Sequence, residues 1–290
     1  MKGLESMEKL ESNNKKPAID SAKIAESSNI AKSANITASA KISESTRARL
    51  TPLCRKIAES SGADSGVLDS RILDSRADLK TLDSHNADSG AFISFVCLGN
   101  ICRSPLAEGI AKHLCQSKLE SIVQNVIQNS AQNMQATTQA TTQTAAQITK
   151  QLANFMRANL HFSSAGTSGF HNGDIIDARS IATAKKHGID ISRYTSKQVS
   201  VYAHADIDLF VAMDMQNLAA LRQLGFGERA VLLGDFGLGG AVVPDPYYGG
   251  ASGFDKVYNM LENGITIMLE SIAQGIITQS TISQGAQNPR

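Results

Sequence analysis

Cys97 and Arg103 stand six positions apart in the segment VCLGNICRSP, residues 96–105. A cysteine in such a segment can be half of a disulfide, a zinc ligand or a nucleophile, and the segment alone leaves these three open. The arginine adds a planar guanidinium group that can donate two parallel hydrogen bonds to phosphoryl oxygens. The pair therefore suggests chemistry on a tetrahedral oxyanion.

The residues around this pair predict a strand, a loop and a helix. AFISFVCL, residues 91–98, is an apolar run typical of a buried parallel strand, and Gly99 follows it directly. Pro105 suits a first helical position, because the N–H that proline lacks would be unpaired there. The helix pattern continues through LAEGIAKHLC. The two cysteines of the segment therefore flank a tight loop at a helix N-terminus.

Such a loop can bind an anion through its backbone. Its N–H groups can point inward, and the helix N-terminus adds positive potential. The same field favours a thiolate over a thiol at Cys97, and the hydroxyl of Ser104 could donate a hydrogen bond to that sulfur. Besides Arg103, the predicted phosphate-binding loop consists of Leu98, Gly99, Asn100, Ile101, Cys102 and Ser104.

Phosphoryl transfer to a cysteine requires a proton for the leaving group, so we expect an acid on another loop. Asp245 in VPDPYYGG is a candidate, because prolines on both sides hold it in an exposed turn. Tyr247 and Tyr248 could form a wall of a cleft for an aromatic substrate. The alternative is an ordinary surface turn without a catalytic role.

Strand-like and helical patterns alternate along the rest of the chain. This alternation predicts an α/β fold with a parallel sheet, helices on both faces, and ligands at the carboxyl ends of the strands. Further strands are predicted at residues 160–164, 207–214 and 230–236, and further helices at residues 178–187, after Asp214 and from Phe254 onward. Asp214, at the end of a predicted strand, is expected to cap or orient its neighbours.

Three segments look different from this core. Residues 1–90 are rich in Ser and lack Phe, Tyr and Trp, so we predict a largely disordered extension, in which Cys54 would be incidental. A Gln- and Thr-rich stretch at about residues 116–155 is predicted to be a polar insertion that prolongs the preceding helix to about Ile127 and then frays. The alternative is a Gln-striped helix that binds a partner. Residues 276–290 are predicted to be a flexible tail.

Composition limits the partners and the compartment. A formal net charge of +1 gives no electrostatic case for nucleic acid or an anionic membrane as the main partner. No apolar run is long enough to span a bilayer, and no pair of histidines has a metal-site spacing. Four cysteines without a secretion signal indicate a reducing cytoplasm.

Five motifs in this order resemble the low-molecular-weight protein tyrosine phosphatases: VCLGNICRSPLAE, SSAGT, the HxG-x3-D-x-R stretch at residues 171–179, MDMQNL and DPYYG. The resemblance covers about residues 92–275. It implies a phosphatase domain at residues 91–275 with a four-stranded, flavodoxin-like, three-layer fold. It also implies no metal or organic cofactor, and hydrolysis of phosphotyrosine in protein substrates through a cysteinyl phosphate.

The resemblance assigns roles residue by residue. It implies that Cys97 is the nucleophile, that Arg103 binds the phosphate and the transition state, and that Asp245 is the general acid and then the base. Asn100 and Ser104 would order the loop.

Further residues of the motifs receive supporting roles. Cys102 would form a reversible disulfide with Cys97 under oxidation. Phe170 matches an aromatic wall of the cleft, facing Tyr247. Asp177 and Arg179 are expected to form structural hydrogen bonds beneath the site.

The chain departs from the family pattern in two places within the domain. Many members have a histidine that braces the loop asparagine, whereas the corresponding region here offers Arg193 and Tyr194. His171 replaces an acidic residue that some members carry after the wall aromatic, which affects the expected substrate preference.

Two other functions are weighed against the phosphatase. An arsenate reductase of the same fold needs further cysteines downstream, and none follows Cys115. A noncatalytic phosphotyrosine-binding module would have lost the nucleophile or the acid, and both are present.

Overall fold

Four parallel strands form the central sheet in a computed structural model, which describes residues 42–59, 90–133, 142–247 and 250–287. The strands are β1 (Ala91–Cys97), β2 (Leu160–Gly166), β3 (Leu209–Ala212) and β4 (Ala230–Leu232), in the spatial order β2-β1-β3-β4. All three strand pairs are parallel, which confirms the predicted sheet. Their carboxyl ends therefore lie at one edge.

Helices cover both faces of this sheet. They are α1 (Glu44–Glu59), α2 (Arg103–Ser117), α3 (Leu119–Asn133), α4 (Thr142–Asn159), α5 (Ala178–Lys186), α6 (Met215–Gln223) and α7 (Ala251–Gln287). The larger apolar cluster includes side chains of α1, α2, α3, α4 and α7, and the smaller one includes side chains of α6. The predicted three-layer α/β architecture is confirmed.

The apolar run of β1 follows from this two-sided burial. Successive side chains of a strand point to opposite faces, so Ile93 and Phe95 enter the larger cluster while Val96 enters the smaller one. All three side chains are fully buried. The strand therefore needs apolar residues at consecutive positions, and it brings Cys97 to the edge where the loop begins.

Helix α1 corrects the predicted disorder of residues 1–90 in the part that the structure describes. One face of the helix is buried, at the spacing of a helical stripe: Leu50, Leu53, Cys54 and Ile57. Because these side chains pack against α7 and the sheet, their burial offsets the entropy lost on ordering the segment. Residues 1–41 and 60–89 of the predicted extension lie outside the described residues.

Polar contacts at both ends attach α1 to the sheet. Lys56 Nζ lies 2.8 Å from Asp208 Oδ2, and the same carboxylate oxygen accepts the N–H of Phe92 at the start of β1. Near the other end, the Thr46 hydroxyl donates to Asp235 Oδ2 at 3.3 Å. The helix therefore has a fixed register on the sheet.

The Gln-rich insertion is also corrected. It forms α3 and α4, which pack on each other and contact α7 or α2, and α3 continues past Ile127 to Asn133. Apolar side chains of both helices are buried among the polar ones: Ile122, Val123, Val126, Leu152, Ala153 and Met156. Gln124 Oε1 accepts a hydrogen bond from Thr149 Oγ1 at 2.8 Å, so this glutamine joins α3 to α4.

Two element ends differ from the sequence prediction. Helix α7 continues into the segment predicted as a flexible tail, and Ile276 in that segment is buried. Strand β4 ends at Leu232 instead of Phe236, because a 3-10 turn follows in which Asp235 accepts the Leu232 N–H. Among the described segments, no helix is long and apolar enough to cross a membrane.

Candidate active site

The loop between β1 and α2, residues 97–103, turns its carbonyl groups outward. Five of its carbonyl oxygens accept hydrogen bonds from residues outside the loop. The pairs are Cys97 O with Thr167 N–H, Leu98 O with Ser168 N–H, Gly99 O with the Ser196 hydroxyl, Ile101 O with Asp177 N–H, and Cys102 O with the Ser180 hydroxyl. In a trans peptide the N–H points opposite to the C=O, so the N–H groups of the next residues face the interior of the loop. The loop therefore offers an inner surface of hydrogen-bond donors at the N-terminus of α2, which suits an oxyanion.

Asn100 holds the turn of this loop. Its φ of 52° lies in the left-handed region, which asparagine tolerates better than most residues. Its Nδ2 donates to Ser104 Oγ and Ser164 Oγ, both at 2.9 Å, and its Oδ1 accepts the N–H of Lys197 at 2.9 Å. The buried amide thus links the loop to α2, to β2 and to the segment before β3.

The close approach of β2 to the loop requires a glycine. A Cβ at Gly166 would lie 2.8 Å from Leu98 O and 3.1 Å from Asn100 N. Both atoms belong to the backbone and cannot move without distorting the loop. Gly166, in the SSAGT motif, therefore lets the end of β2 support the loop from the side.

The sulfur of Cys97 lies at the floor of the loop, and the residue is 3% exposed. Sγ accepts the Asn100 N–H at 3.3 Å and lies 3.1 Å from Ser104 Oγ. The Ser104 hydroxyl donates to Ala165 O at 3.2 Å, and its single hydrogen can turn to the sulfur instead when the sulfur is negatively charged. These donors can stabilise negative charge on the sulfur.

Arg103 lies at the same edge of the sheet and is 4% exposed. Its Nη1 donates to Asp214 Oδ2 at 2.7 Å and to Val243 O at 3.1 Å, and its Nη2 donates to Asp245 Oδ2 at 3.0 Å. Asp214 also caps α6 by accepting the N–H of Asn217, which confirms its predicted capping and orienting role. The guanidinium group is thus held between two carboxylates next to the loop.

The structure brings Asp245 to this edge from a distant part of the chain. One carboxylate oxygen contacts Arg103, and the other accepts the N–H of Tyr247 at 3.0 Å. The side chain of Asp245 is 40% exposed, so it borders solvent at the mouth of the loop. A carboxyl group in this position can exchange a proton with a group bound above Cys97.

A chain of polar contacts supports Asn100 from beneath. The Ser164 hydroxyl donates to Glu108 Oε2 at 2.7 Å, and Glu108 Oε1 lies 2.6 Å from Lys112 Nζ. The ammonium group lies 5.0 Å from the centre of the Tyr194 ring. Burial and the negative charge of Glu108 raise the pKa of the Tyr194 phenol. Tyr194, in the region where many family members have a histidine, is therefore connected to the loop through Lys112 and Glu108.

The two cysteines of the loop differ in their surroundings. Burial, together with the negative charge of Asp177, raises the pKa of Cys102 to about 12. Hydrogen bonds from Arg179 outweigh burial and lower the pKa of the Asp177 carboxyl, which therefore stays charged at neutral pH. Cys102 is thus a thiol at neutral pH, whereas the Asn100 N–H and the Ser104 hydroxyl lie against the Cys97 sulfur.

Two of the three predicted cleft residues, Phe170 and Tyr247, lie in the described part of the chain. Phe170, in the turn after β2, is 95% exposed, and Tyr247 is 43% exposed. The Tyr247 ring packs against the guanidinium group of Arg179. Tyr248 lies outside the described residues, so the aromatic wall stays a prediction.

The remaining cysteines are away from the loop. Cys54 lies on α1 and Cys115 on α2, and burial raises the pKa of each to about 12. Within residues 42–59, 90–133, 142–247 and 250–287, no group of three His, Cys, Asp or Glu side chains is placed to hold a metal ion.

Sequence reasoning missed three residues that support the loop: Ser164, Glu108 and Lys197. Ser164 belongs to the SSAGT motif and Glu108 to CRSPLAE, so both lie in motifs that the sequence reveals. Their contact joins positions 56 residues apart, which spacing along the chain does not reveal. Lys197 contributes only its backbone N–H, so the type of its side chain does not indicate this role.

A known protein family matches the part of the chain that contains this loop. The family model described as low molecular weight phosphotyrosine protein phosphatase matches residues 92–143 and 138–276. The low molecular weight protein-tyrosine-phosphatase of Streptomyces coelicolor is 31% identical over 197 residues, covering 63% of this chain and 94% of that protein. The low molecular weight protein-tyrosine-phosphatase YfkJ of Bacillus subtilis is 28% identical over 187 residues, covering 62% of this chain and 94% of that protein.

Solved structures match a similar share of the chain. The crystal structure of YfkJ covers 63% of this chain and 95% of its own, with 29% identity and a TM-score of 0.46. The family model begins after α1 and extends through most of the described residues, including the loop and Asp245. The chain therefore belongs to the low molecular weight phosphotyrosine protein phosphatase family, a family of phosphoric monoester hydrolases.

Proposed function

We propose that this chain hydrolyses phosphotyrosine in proteins, and small aryl phosphates, through a cysteinyl phosphate on Cys97. The observation that carries the proposal is a single loop that holds the buried Cys97 sulfur against the Asn100 N–H and ends at Arg103, whose guanidinium group donates to Asp245. The similarity to Streptomyces coelicolor and Bacillus subtilis proteins named as tyrosine phosphatases supports it.

The first step transfers the phosphoryl group to sulfur. The phosphate binds to the N–H groups of the loop and to Arg103, and the Cys97 thiolate attacks phosphorus. The bond between phosphorus and the tyrosyl oxygen breaks, and protonated Asp245 gives its proton to that oxygen. A protonated carboxyl no longer pairs ionically with Arg103, so the guanidinium can direct donors to the phosphoryl oxygens.

The second step releases phosphate. The Asp245 carboxylate takes a proton from water, the water oxygen attacks phosphorus, and the sulfur–phosphorus bond breaks. The electron pair returns to Cys97 as a thiolate, which the Asn100 N–H and the Ser104 hydroxyl stabilise. The products are inorganic phosphate and the unmodified tyrosine.

The depth of the sulfur supports an aryl substrate. Because Cys97 is only 3% exposed, a phosphate must reach the floor of the loop to be attacked. The ring of phosphotyrosine extends the phosphate far from its own backbone, whereas phosphoserine holds it close. We therefore expect phosphotyrosyl peptides to be cleaved and phosphoseryl peptides of the same sequence to be poor substrates.

Cys102 is proposed as the partner of Cys97 in reversible oxidation. A peroxide would oxidise the Cys97 thiolate to a sulfenic acid, and the Cys102 thiol would displace water from it to form a disulfide. A thiol reductant would restore activity.

Turnover of p-nitrophenyl phosphate tests the proposed function. Wild type should be active, and Cys97→Ser should show no turnover above background. Asp245→Ala should have a strongly reduced kcat, because the second step loses the base that activates water. Circular dichroism of each variant checks that the fold is kept. A wild type no more active than Cys97→Ser would contradict the phosphatase assignment and leave a noncatalytic binding module as the explanation.

A further inference from the structure

Arg179 connects the loop that carries Asp245 to the base of the phosphate loop. We propose that it is a positioning residue, which holds Asp245 in place for proton transfer to the leaving group. The inference rests on the proposed function and assigns Arg179 a part in the reaction beyond local structure.

On one side, Arg179 holds the segment of Asp245. Its Nη1 donates to Tyr247 O at 2.8 Å, two residues after the acid. The guanidinium carbon lies 5.4 Å from the centre of the Tyr247 ring and 4.8 Å from the centre of the Phe254 ring. Phe254 is buried in the first turns of α7. Arg179 therefore holds both the backbone and the ring of Tyr247 next to the first turns of α7.

On the other side, Arg179 is attached to the phosphate loop. Its Nε and Nη2 donate to the two oxygens of Asp177, at 3.0 Å and 2.7 Å. The backbone N–H of Asp177 in turn donates to Ile101 O in the loop at 3.0 Å. A bidentate pair of this kind fixes direction as well as distance. The position of Tyr247 is thereby set relative to the loop that binds phosphate.

This connection matters most when the proton moves. In the structure, Asp245 is also held by Arg103 at 3.0 Å. A bound phosphoryl group competes for Arg103, and the acid form of Asp245 is uncharged, so that ion pair is lost. The Tyr247 N–H still reaches Asp245 Oδ1, and Tyr247 is held by Arg179. Loss of Arg179 should therefore impair the acid step more than phosphate binding.

The test compares leaving groups in Arg179→Gln. A poor leaving group such as phenol depends on the acid, whereas p-nitrophenol departs with less help. We expect kcat/KM for phenyl phosphate to fall about tenfold and that for p-nitrophenyl phosphate to fall no more than about twofold. Lys186→Gln is the matched control, because it removes a 2.9 Å pair with Asp255 that joins the same two helices without touching the acid segment. The control should leave both values unchanged.

A double-mutant cycle identifies the route of the effect. In an Asp245→Asn background, Arg179→Gln should cause no further loss with phenyl phosphate, because its effect passes through the acid. An equal loss with both substrates, or a full loss in the Asp245→Asn background, would overturn the inference.

Thermal unfolding and the activity of wild type distinguish a folding defect from a loss of function. If thermal unfolding shows that Arg179→Gln does not fold, Arg179→Lys replaces it, since one ammonium cannot hold Asp177 and Tyr247 together, and the same selective loss is expected. An active wild type with a non-selective Arg179 variant would overturn this inference alone. An inactive wild type would overturn the proposed function and this inference with it.

Discussion

The phosphate loop, residues 97–103, and helix α1 belong to the same fold but are held by different kinds of contact. The loop is held by buried polar groups, with Asn100 and Arg103 each making three side-chain hydrogen bonds. Helix α1 is held mainly by Leu50, Leu53, Cys54 and Ile57 packed against α7 and the sheet. Hydrogen bonds are directional and set geometry, whereas apolar burial is non-directional and supplies stability. Changes in the two regions should therefore separate activity from stability.

The largest effect is expected in α1. Leu53 is 2% exposed in the apolar cluster, and Leu53→Ala should lower the free energy of unfolding by about 3 kcal/mol because it leaves a cavity. Urea unfolding measures this, and kcat of the folded fraction should stay at the wild-type value. Arg55→Ala, at an exposed position of the same helix, is the control and should change little. Equal stability of the two variants would contradict the packing assigned to α1.

A smaller effect, on activity, is expected in the loop. Asn100→Ala removes three side-chain hydrogen bonds at a φ of 52°, and we expect kcat/KM to fall about thirtyfold, near 2 kcal/mol. Asn100→Gly adopts this φ freely and should recover part of the loss but not all. Steady-state kinetics with p-nitrophenyl phosphate measures both. Wild-type rates in both variants would show that the amide does not order the loop.

The smallest effect is expected where α1 and α7 touch. A Cβ at Gly275 would lie 2.5 Å from Cys54 Sγ, so Gly275→Ala should cost about 1 kcal/mol of stability. Cys54→Ala removes the sulfur and leaves only the Cβ of residue 54, at 3.2 Å, so in that background Gly275→Ala should cost much less. Thermal unfolding of the two single variants and the double variant measures this coupling. Strictly additive changes would mean that the two helices do not pack closely at this point.

The loop could be predicted because its determinants are local. Gly99, Asn100 and Pro105 mark the turn and the helix start, and Cys97 and Arg103 lie within it. The position of Asp245 could be predicted because the carboxyl ends of parallel strands lie at one edge of the sheet, so loops from distant parts of the chain meet there. The partners of Asn100 could not be predicted, because the contact of Ser164 with Glu108 depends on how β2 packs against α2.

Helix α1 was missed because its order depends on distant partners. The stripe Leu50, Leu53, Cys54 and Ile57 was a usable signal, but Pro52 interrupts the helix pattern and the surrounding sequence is rich in Ser. The Cys54 sulfur contacts Ile272 O across 218 positions of the chain. In the same way, the Gln residues of the insertion obscured the apolar stripes of α3 and α4, which are stable only against each other and the rest of the domain.

The most direct test of the central claim is to trap the covalent intermediate. The chain is mixed with labelled aryl phosphate, quenched within the first turnover under denaturing conditions and digested, and the labelled peptide is identified by mass spectrometry. Catalysis through Cys97 predicts label on Cys97 itself, located by fragmentation because Cys102 lies in the same peptide, with none on Cys102 and none in Cys97→Ser. Turnover by wild type without label on Cys97, or equal labelling of Cys97→Ser, would contradict it.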